Sequence, residues 1–206
     1  MNNFAITALG RSGTQFLAAV MNTSKVWTVQ HEPYTQLPHI AQAQRPLFVE
    51  VGRVEARFNQ DYYGEVNSYL RHVILDLPVA KKGIILRHPR EILLSAYNRQ
   101  RVPLSLSQCT NVVVGLAALR RALHTDPAIR LIYFRQMTSE PGYLRELVAS
   151  FGVTDAVITA NTCRCKLNAT QRVRYASYDM LPLNMRAYYE YQLQDFIAEY
   201  FTHGRG

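Results

Sequence analysis

The sequence is poor in cysteine and contains no arrangement of residues typical of a metal site. Its three cysteines, Cys109, Cys163 and Cys165, are an odd set without CxxC spacing, which predicts reduced thiols in a cytoplasmic protein and no zinc site. The pair His31-Glu32 is not followed by a second histidine at the HExxH spacing, so that zinc motif is absent as well. We therefore expect neither a structural nor a catalytic metal.

The chain also lacks long apolar runs, internal repeats and low-complexity segments. No apolar run approaches the roughly 18 residues needed to span a bilayer, and the first residues lack a charged region followed by an apolar core. We therefore expect no membrane span and no export signal. A hydrophobic content of 48% over 206 residues suits a single globular domain covering 1–206.

Lysine is scarce, whereas arginine is abundant. The chain carries 23 lysines and arginines against 15 acidic residues, for a net charge of +8 at pH 7, and only four of the basic residues are lysines. The planar guanidinium fork binds phosphate and sulfate through two bonds, so this excess suits a multiply anionic ligand or an acidic acceptor. The basic residues are spread along the chain without a basic tail, which argues against nucleic acid as the partner.

The most informative motif is Gly10-Arg11-Ser12-Gly13-Thr14, which follows a short apolar strand pattern and precedes a helix-like pattern. In such a turn, backbone N–H groups and the positive end of the helix dipole converge on an anion. Arg11 adds a charge and the two hydroxyl residues add donors, so a phosphate or sulfate group is the expected ligand. The alternative is that the glycines only make a tight turn. The motif has neither the length nor the lysine of the GxxxxGK[ST] loop of P-loop kinases.

A second basic motif, Arg87-His88-Pro89-Arg90, begins 76 residues after Arg11. It closes an apolar strand pattern, and Pro89 suits the first position of the helix that follows. Ser95 lies about two turns into that helix. Ligands of open α/β sheets lie beyond the carboxyl ends of the strands, so Arg87 and Ser95 can close on one phosphate there. The alternative is a solvated pair of arginines beside a helix N-terminus.

Strand and helix patterns alternate along most of the chain. We predict strands at 4–9, 26–29, 83–87 and 129–134, and helices at 14–22, 62–75, 89–100, 111–123, 140–150 and 183–202. This alternation predicts an α/β fold with a central parallel sheet covered by helices on both faces.

Together the two motifs resemble the sulfotransferase family that uses 3′-phosphoadenylyl sulfate (PAPS), especially its carbohydrate and tyrosylprotein branches. Arg11-Ser12-Gly13-Thr14 is similar to the family's loop for the 5′-phosphosulfate, and Arg87 with Ser95 keeps the eight-residue spacing of its 3′-phosphate site. The resemblance implies a three-layer, P-loop-like α/β fold that binds PAPS or adenosine 3′,5′-bisphosphate. The residues it places at this nucleotide are Gly10, Arg11, Ser12, Gly13, Thr14, Gln15, Arg87, Ser95 and Tyr133.

Two further segments extend the resemblance. Gln30-His31-Glu32-Pro33 looks like the segment near the acceptor where carbohydrate sulfotransferases carry a Glu-Pro pair. The strand that ends near Tyr133 is similar to the family's tyrosine-bearing strand, which would put Tyr133 near the adenine. The alternative for Tyr133 is a core tyrosine at a strand end.

The chain also departs from the family at several positions. His88 stands where the family commonly has Asp or Asn, and Gln15 stands where a second Thr or Ser often follows the loop. The family's C-terminal loop over the nucleotide is not evident. Arg164 and Lys166 are candidates for that cover, and a solvated basic loop is the alternative.

The activity implied by the resemblance is transfer of a sulfuryl group to a hydroxyl or amine. Such a transfer needs a base, cations for the charge on the bridging oxygen, and in-line alignment. Glu32 is the candidate base, His31 is the reserve, and Arg11 is the catalytic cation. Adjacent residues of an extended segment point to opposite faces, so only one of His31 and Glu32 is expected to reach the site.

Two other functions stay open from the sequence. A P-loop phosphotransferase, such as a small-molecule kinase, shares the strand–loop–helix unit but requires a divalent cation. An RNA-binding KH module also carries a GxxG loop, although that loop joins two helices. The sequence does not choose among a carbohydrate, a peptide, a lipid and a small metabolite as the acceptor. Because the chain is short for the family, a second subunit in a homodimer is one way to complete the acceptor side.

Overall fold

The fold is described from a computed structural model that covers residues 2–33, 58–99, 106–164 and 176–201. The strands within these ranges are β1 (Asn3–Ala8), β2 (Thr28–His31), β3 (Tyr63–Val66), β4 (Lys81–Leu86) and β5 (Arg130–Tyr133). The α-helices are α1 (Thr14–Met21), α2 (Pro89–Arg99), α3 (Leu106–Thr125), α4 (Phe134–Ser139), α5 (Pro141–Ser150) and α6 (Leu183–Phe201). Short 3-10 turns are η1 (Ser68–His72), η2 (Thr162–Arg164) and η3 (Tyr178–Met180).

The five strands form one sheet in the order β2-β3-β1-β4-β5, and every neighbouring pair is parallel. The register sets Val66 of β3 between Ile6 of β1 and His31 of β2. On the other side of β1, Leu86 of β4 lies opposite Tyr133 of β5. The carboxyl ends of all five strands therefore meet at one edge of the sheet.

Helices cover both faces of this sheet. Successive residues of a strand point to opposite faces, and β1 follows that rule. Phe4, Ile6 and Ala8 pack with apolar residues of α1, α4 and α5 on one face. Ala5 and Leu9 pack on the other face with apolar residues of α2, α3 and α6. The predicted α/β fold, with a central parallel sheet flanked by helices, is confirmed.

The predicted helix over 62–75 is wrong, because these residues contain β3 followed by η1. All four residues of β3 are buried, including Glu65. The carboxylate of Glu65 accepts hydrogen bonds from the Tyr63 hydroxyl at 2.7 Å and the Asn67 side-chain amide at 3.4 Å. A Cβ on Gly64 would overlap the ring of Phe4, so the strand needs glycine there. Glycine and glutamate are both depleted in strands, which hides β3 in the sequence.

The other elements lie close to their predicted positions, with three adjustments. The second strand begins two residues later than predicted and ends at His31. The helix predicted over 111–123 begins earlier, at Leu106. Helix α4, which was not predicted, follows β5 directly, so the chain turns into a helix immediately after Tyr133. In the ranges the structure describes, no helix is long and apolar enough to cross a membrane.

Candidate nucleotide site

The candidate site occupies the sheet edge at which all five strands end. His31 closes β2, Ser68 lies two residues beyond β3, and the loop 10–13 joins β1 to α1. Arg87 follows β4, and Tyr133 closes β5. Residues spread over more than half of the chain are therefore gathered at one edge by the parallel sheet.

The loop between β1 and α1 turns sharply. Arg11 has a φ of 74° and Gly13 a φ of 83°, both in the left-handed region. A Cβ on Gly13 would lie 2.8 Å from a ring carbon of Phe134 and 2.9 Å from Met137 Cε, so only glycine fits. Helix α1 begins at Thr14, and the N–H groups of its first turn, which have no partner within the helix, face the loop. This loop joins a strand to a helix, unlike the GxxG loop of a KH module.

The buried hydroxyl of Ser12 indicates that the loop binds an anion. Its side chain is 1% exposed, and its hydroxyl has no hydrogen-bond partner among the described residues. Burying a polar group without a partner is costly, and an oxygen of a phosphate or sulfate in the loop would accept this bond. Gly10 leaves open space where a Cβ would stand, and Gln15 is half-buried in the first turn of α1. The loop thus fits an anionic group such as phosphate or sulfate.

The two basic motifs are in direct contact. Arg87 Nη1 donates to the carbonyl oxygen of Arg11 at 2.6 Å, and Arg11 Nε donates to Ser95 Oγ at 3.1 Å. The guanidinium of Arg87 also lies over the ring of Phe134, 4.4 Å from its centroid. The sequence prediction that Arg11, Arg87 and Ser95 share one site is consistent with this geometry. Two guanidinium groups and a hydroxyl therefore lie together at this edge of the sheet.

Glu91 and Arg135 join this cluster, although neither was predicted as a site residue. One oxygen of Glu91 accepts from Arg87 Nε at 3.1 Å, and the other accepts from Arg135 Nη2 at 2.7 Å and Nε at 3.0 Å. Burial acts to raise the pKa of Glu91, but the bonds from Arg135 and Arg87 outweigh it and lower the pKa overall. The four-residue spacing of Arg87 and Glu91 was the available signal, because Arg87 lies two residues before α2 and Glu91 lies in the first turn of that helix.

His31 lies against the first residue of α1, next to the loop 10–13. Its Nε2 is 3.0 Å from the hydroxyl oxygen of Thr14 and 3.8 Å from Oε1 of Glu32. Burial lowers the pKa of His31, and the nearby Glu32 carboxylate offsets only part of that effect. A neutral imidazole is therefore the dominant form at neutral pH, and it can accept a proton.

The expectation that His31 and Glu32 point to opposite sides is wrong. Strand β2 ends at His31, and Glu32 has a φ of 43° in the left-handed region, so the alternation of an extended strand no longer applies. Glu32 Oε1 accepts from the backbone N–H of Ser68 at 3.4 Å and makes a short hydrogen bond with the Ser68 hydroxyl. Both candidate bases therefore lie on the same side, and Ser68 is a contact that the sequence did not reveal.

Tyr133 marks the far end of the site, on β5. Its ring lies 6.4 Å from that of Phe201, the last residue of α6, and Phe201 lies 5.0 Å from the ring of His88. The backbone N–H of Tyr133 donates to the Tyr143 hydroxyl at 3.3 Å. His88 thus packs against an aromatic ring at the position where the sulfotransferase motif commonly has Asp or Asn.

The structure does not assign Arg164 or Lys166 to the C-terminal loop that was predicted to cover the nucleotide. Arg164 is an exposed residue of η2, and Lys166 lies outside the described residues. Within the described ranges, no group of three or more histidine, cysteine, aspartate or glutamate side chains is arranged to hold a metal ion.

The fold of this chain is similar to that of solved sulfotransferases. The sulfotransferase from Alicyclobacillus acidocaldarius has a TM-score of 0.56 with this chain, covers 97% of it and 95% of its own length, and is 18% identical. Sulfotransferase STF9 from Mycobacterium avium has a TM-score of 0.57 at 13% identity, over 100% of this chain and 78% of its own. Mouse sulfotransferase SULT7A1, solved in complex with PAP, has a TM-score of 0.53 at 12% identity, over 96% and 85%. At these identities the likeness establishes a shared fold.

Sequence comparison adds little to this assignment. No protein-family profile matches the chain. A curated relative, ATP phosphoribosyltransferase from Geobacillus sp., is 26% identical over 136 residues, which are 61% of this chain and 63% of that protein. The chain thus matches less than two thirds of that relative's length, at an identity too low to assign a family.

Proposed function

We propose that this protein transfers the sulfuryl group of PAPS to a hydroxyl or amine of an acceptor and releases adenosine 3′,5′-bisphosphate. One observation carries the proposal: two basic motifs 76 residues apart in sequence converge at a single edge of the sheet. A pair of guanidinium groups with a buried hydroxyl suits a ligand that carries two phosphates. The fold shared with sulfotransferases, one of them solved in complex with PAP, supports the same choice of nucleotide.

In this proposal the two motifs bind opposite ends of the nucleotide. The backbone N–H groups of the loop, with the hydroxyls of Ser12 and Thr14, bind the 5′-phosphosulfate. Arg87 and Ser95 bind the 3′-phosphate. The half-buried Tyr133 contacts the adenine side, where it lies next to Phe201. Binding of the distant 3′-phosphate helps to align the sulfur atom with its attacker.

The proposed reaction is an in-line substitution at sulfur. The acceptor oxygen or nitrogen forms a bond to sulfur while the bond from sulfur to the bridging phosphate oxygen breaks. Glu32 takes the acceptor's proton, and Arg11 stabilises the negative charge that develops on the bridging oxygen. His31 is the alternative base, since burial keeps it neutral and it lies 3.0 Å from Thr14 of the loop. Arginine supplies the positive charge that a metal ion supplies in a kinase.

Nucleotide preference tests this proposal against a P-loop phosphotransferase. In isothermal titration calorimetry the protein should bind adenosine 3′,5′-bisphosphate in EDTA and bind adenosine 5′-monophosphate much more weakly, because the latter lacks the group for Arg87 and Ser95. ATP with Mg²⁺ is the competing ligand. Tight ATP binding that requires Mg²⁺, together with indifference to the bisphosphate, would overturn the proposal in favour of a kinase.

The acceptor is best sought directly. Incubation with ³⁵S-labelled PAPS and pooled carbohydrates, tyrosine peptides, lipids and small metabolites should label members of one class. Spontaneous hydrolysis of PAPS is measured without protein as the background. If the protein binds the bisphosphate but labels no pool above that background, the binding half of the proposal stands and the transfer half fails.

A further inference from the structure

We propose that a groove at the amino ends of β4 and β5 binds a small organic phosphate or sulfate ester, at a site separate from the nucleotide site. The groove encloses about 410 Å³, within the range of about 300–1,000 Å³ typical of small-molecule sites. The charged residues that line it are Lys81, Lys82, Asp126 and Arg130. None of them belongs to either basic motif.

The groove and the nucleotide site lie at opposite edges of the sheet. Strand β4 begins at Lys81 in the groove and ends at Leu86, one residue before Arg87 of the nucleotide site. At a rise of roughly 3.3 Å per residue, the Cα atoms of Lys81 and Arg87 are about 20 Å apart. A small ligand in the groove therefore does not reach the nucleotide site.

Two of the cations project to the same face of the sheet. Lys81 and Gly83 are two residues apart on β4, so their side-chain positions share a face, and Arg130 is the partner of Gly83 on β5. Lys81 Nζ donates to the carbonyl oxygen of Ser150 at 2.8 Å, which identifies this face as the one covered by α5. Lys81 and Arg130 therefore stand side by side at the mouth of the groove.

The positive charge of the groove exceeds its negative charge. Asp126 is the single acidic residue among those that line it, against three basic residues. One oxygen of Asp126 lies 3.9 Å from Lys82 Nζ, and the other accepts from the Ala128 N–H at 3.0 Å. Within the described ranges, Lys81 and Arg130 form no ion pair with a carboxylate. Two positive charges thus remain for an anionic ligand.

The two lysines are held in place by neutral groups. Lys82 Nζ donates to the Leu75 carbonyl at 2.7 Å, just as Lys81 donates to Ser150. An ammonium group has three hydrogens, so each lysine keeps further donors for a ligand, and a carbonyl oxygen does not cancel its charge. Only four of the basic residues in the chain are lysines, and two of them are adjacent here. Lysine binds phosphate as a point charge, which suits a monoester or a related dianion.

The rest of the lining favours an organic anion over an inorganic ion. Val79 and Ala80 precede β4, Ala128 precedes β5, and Phe151 follows α5. These side chains offer apolar contact to a carbon skeleton, which phosphate and sulfate ions lack. The ester oxygens would then face Lys81 and Arg130, with the carbon part of the ligand against the apolar side chains.

A tryptophan beside the groove can report binding. Trp27 is the only tryptophan of the chain. A Cβ on Gly152 would lie 3.1 Å from Trp27 Cζ2 and 3.8 Å from Lys81 Nζ, so the indole and the ammonium group are close neighbours. An anion bound at Lys81 changes the electric field at the indole, and the fluorescence of Trp27 should change with it.

The test titrates the full chain with phenyl phosphate, phenyl sulfate, inorganic phosphate and inorganic sulfate, and follows calorimetry and Trp27 fluorescence. One of the two phenyl esters should bind with one-to-one stoichiometry and more tightly than its inorganic ion. The affinity of that ester should fall about tenfold in Arg130→Gln and in Lys81→Gln, the usual worth of a hydrogen bond to a charged group. Lys25→Gln is the matched control, because Lys25 is exposed and does not line the groove, and its affinity should be unchanged. The tighter of the two esters distinguishes a phosphate from a sulfate ligand.

The variants also separate this site from the nucleotide site. Arg130 is exposed and makes no hydrogen bond to the described residues, so Arg130→Gln should fold like the wild type. Ester binding that is lost in Arg87→Gln and kept in Arg130→Gln would overturn the proposal, as would absence of ester binding or equal affinity for the inorganic ions. Failure of the wild type to bind adenosine 3′,5′-bisphosphate would overturn the proposed function and leave the groove unaffected.

Discussion

Arg87 makes three contacts that leave little freedom to its guanidinium. It donates to the Arg11 carbonyl and to Glu91, and it lies over the ring of Phe134. A side chain held in this way loses little entropy when it binds a ligand, which suits a phosphate contact. At the scale of single residues, Arg87 is therefore the strongest test of the nucleotide site.

Replacing Arg87 by alanine should weaken binding of adenosine 3′,5′-bisphosphate by roughly 2–5 kcal/mol, the cost of removing one partner of a hydrogen-bonded charge pair that the bound nucleotide would bury. Calorimetry measures the change. Arg130→Ala is the matched control, because Arg130 is an exposed arginine at the opposite end of the neighbouring strand, and it should leave the affinity unchanged. An Arg87→Ala protein with wild-type affinity would remove this residue from the site.

The pair His31 and Glu32 permits a separation of binding from catalysis. Glu32→Gln keeps the size of the side chain and removes its ability to take a proton, so bisphosphate affinity should persist while kcat falls by about 100-fold or more. Activity is followed with the labelled donor. If Glu32→Gln keeps its activity and His31→Gln loses it, the base is His31, which already contacts Thr14 of the loop.

At the scale of elements, α5 is followed two residues later by a glycine that the packing requires. Gly152 has a φ of 94°, and a Cβ there would lie 3.1 Å from the indole of Trp27, whose ring N–H donates to the Gly152 carbonyl at 3.2 Å. Gly152→Ala should lower the free energy of unfolding by about 1–2 kcal/mol from the left-handed backbone alone, and more from the crowded indole. Urea denaturation measures this loss.

The same helix provides a control of opposite sign. Gly142 lies in the first turn of α5, and nothing stands within 4 Å of the position of its Cβ. Gly142→Ala should therefore raise the unfolding free energy by up to about 1 kcal/mol, since alanine is the better helix former. Equal effects from the two substitutions would show that backbone conformation at Gly152 does not matter.

The elements also show which parts of the site were predictable. The loop at 10–14 and the run from Arg87 to Ser95 were visible because each follows an apolar strand and opens a helix. Strand β3 was not visible in the sequence, because the reasons for its residues lie elsewhere in the fold. The ring of Phe4 requires glycine at position 64, and the hydrogen-bond partners of Glu65 allow that carboxylate to be buried. Ser68 was therefore not predicted, because its contact with Glu32 depends on where β3 and η1 lie and no local motif marks it.

At the scale of the whole molecule, one parallel sheet turns separate sequence motifs into a single site. The register that places Leu86 beside Tyr133, and Val66 between Ile6 and His31, aligns the ends of the strands. Residues just beyond those ends then lie within hydrogen-bonding distance across 76 and 84 positions of sequence. This is the arrangement expected of ligand sites in parallel α/β sheets.

Three titratable groups of the site, His31, His88 and Glu91, have lowered pKa values, and each makes the folded protein less stable in acid. Burial lowers the pKa of His31 and His88 below the ordinary histidine value of 6.5, so the unfolded chain binds more protons as the pH falls through that value. Glu91, whose pKa is lowered by Arg135 and Arg87 against the effect of burial, adds a further loss below its ordinary value of 4.5.

The melting temperature should therefore decrease from pH 8 to pH 5 and again below pH 4.5. Replacing both histidines by glutamine should reduce the first decrease and leave the second; the remainder is due to His72, whose pKa is lowered by burial and by Arg71. A melting temperature that is constant or rises from pH 8 to pH 5 would contradict this account.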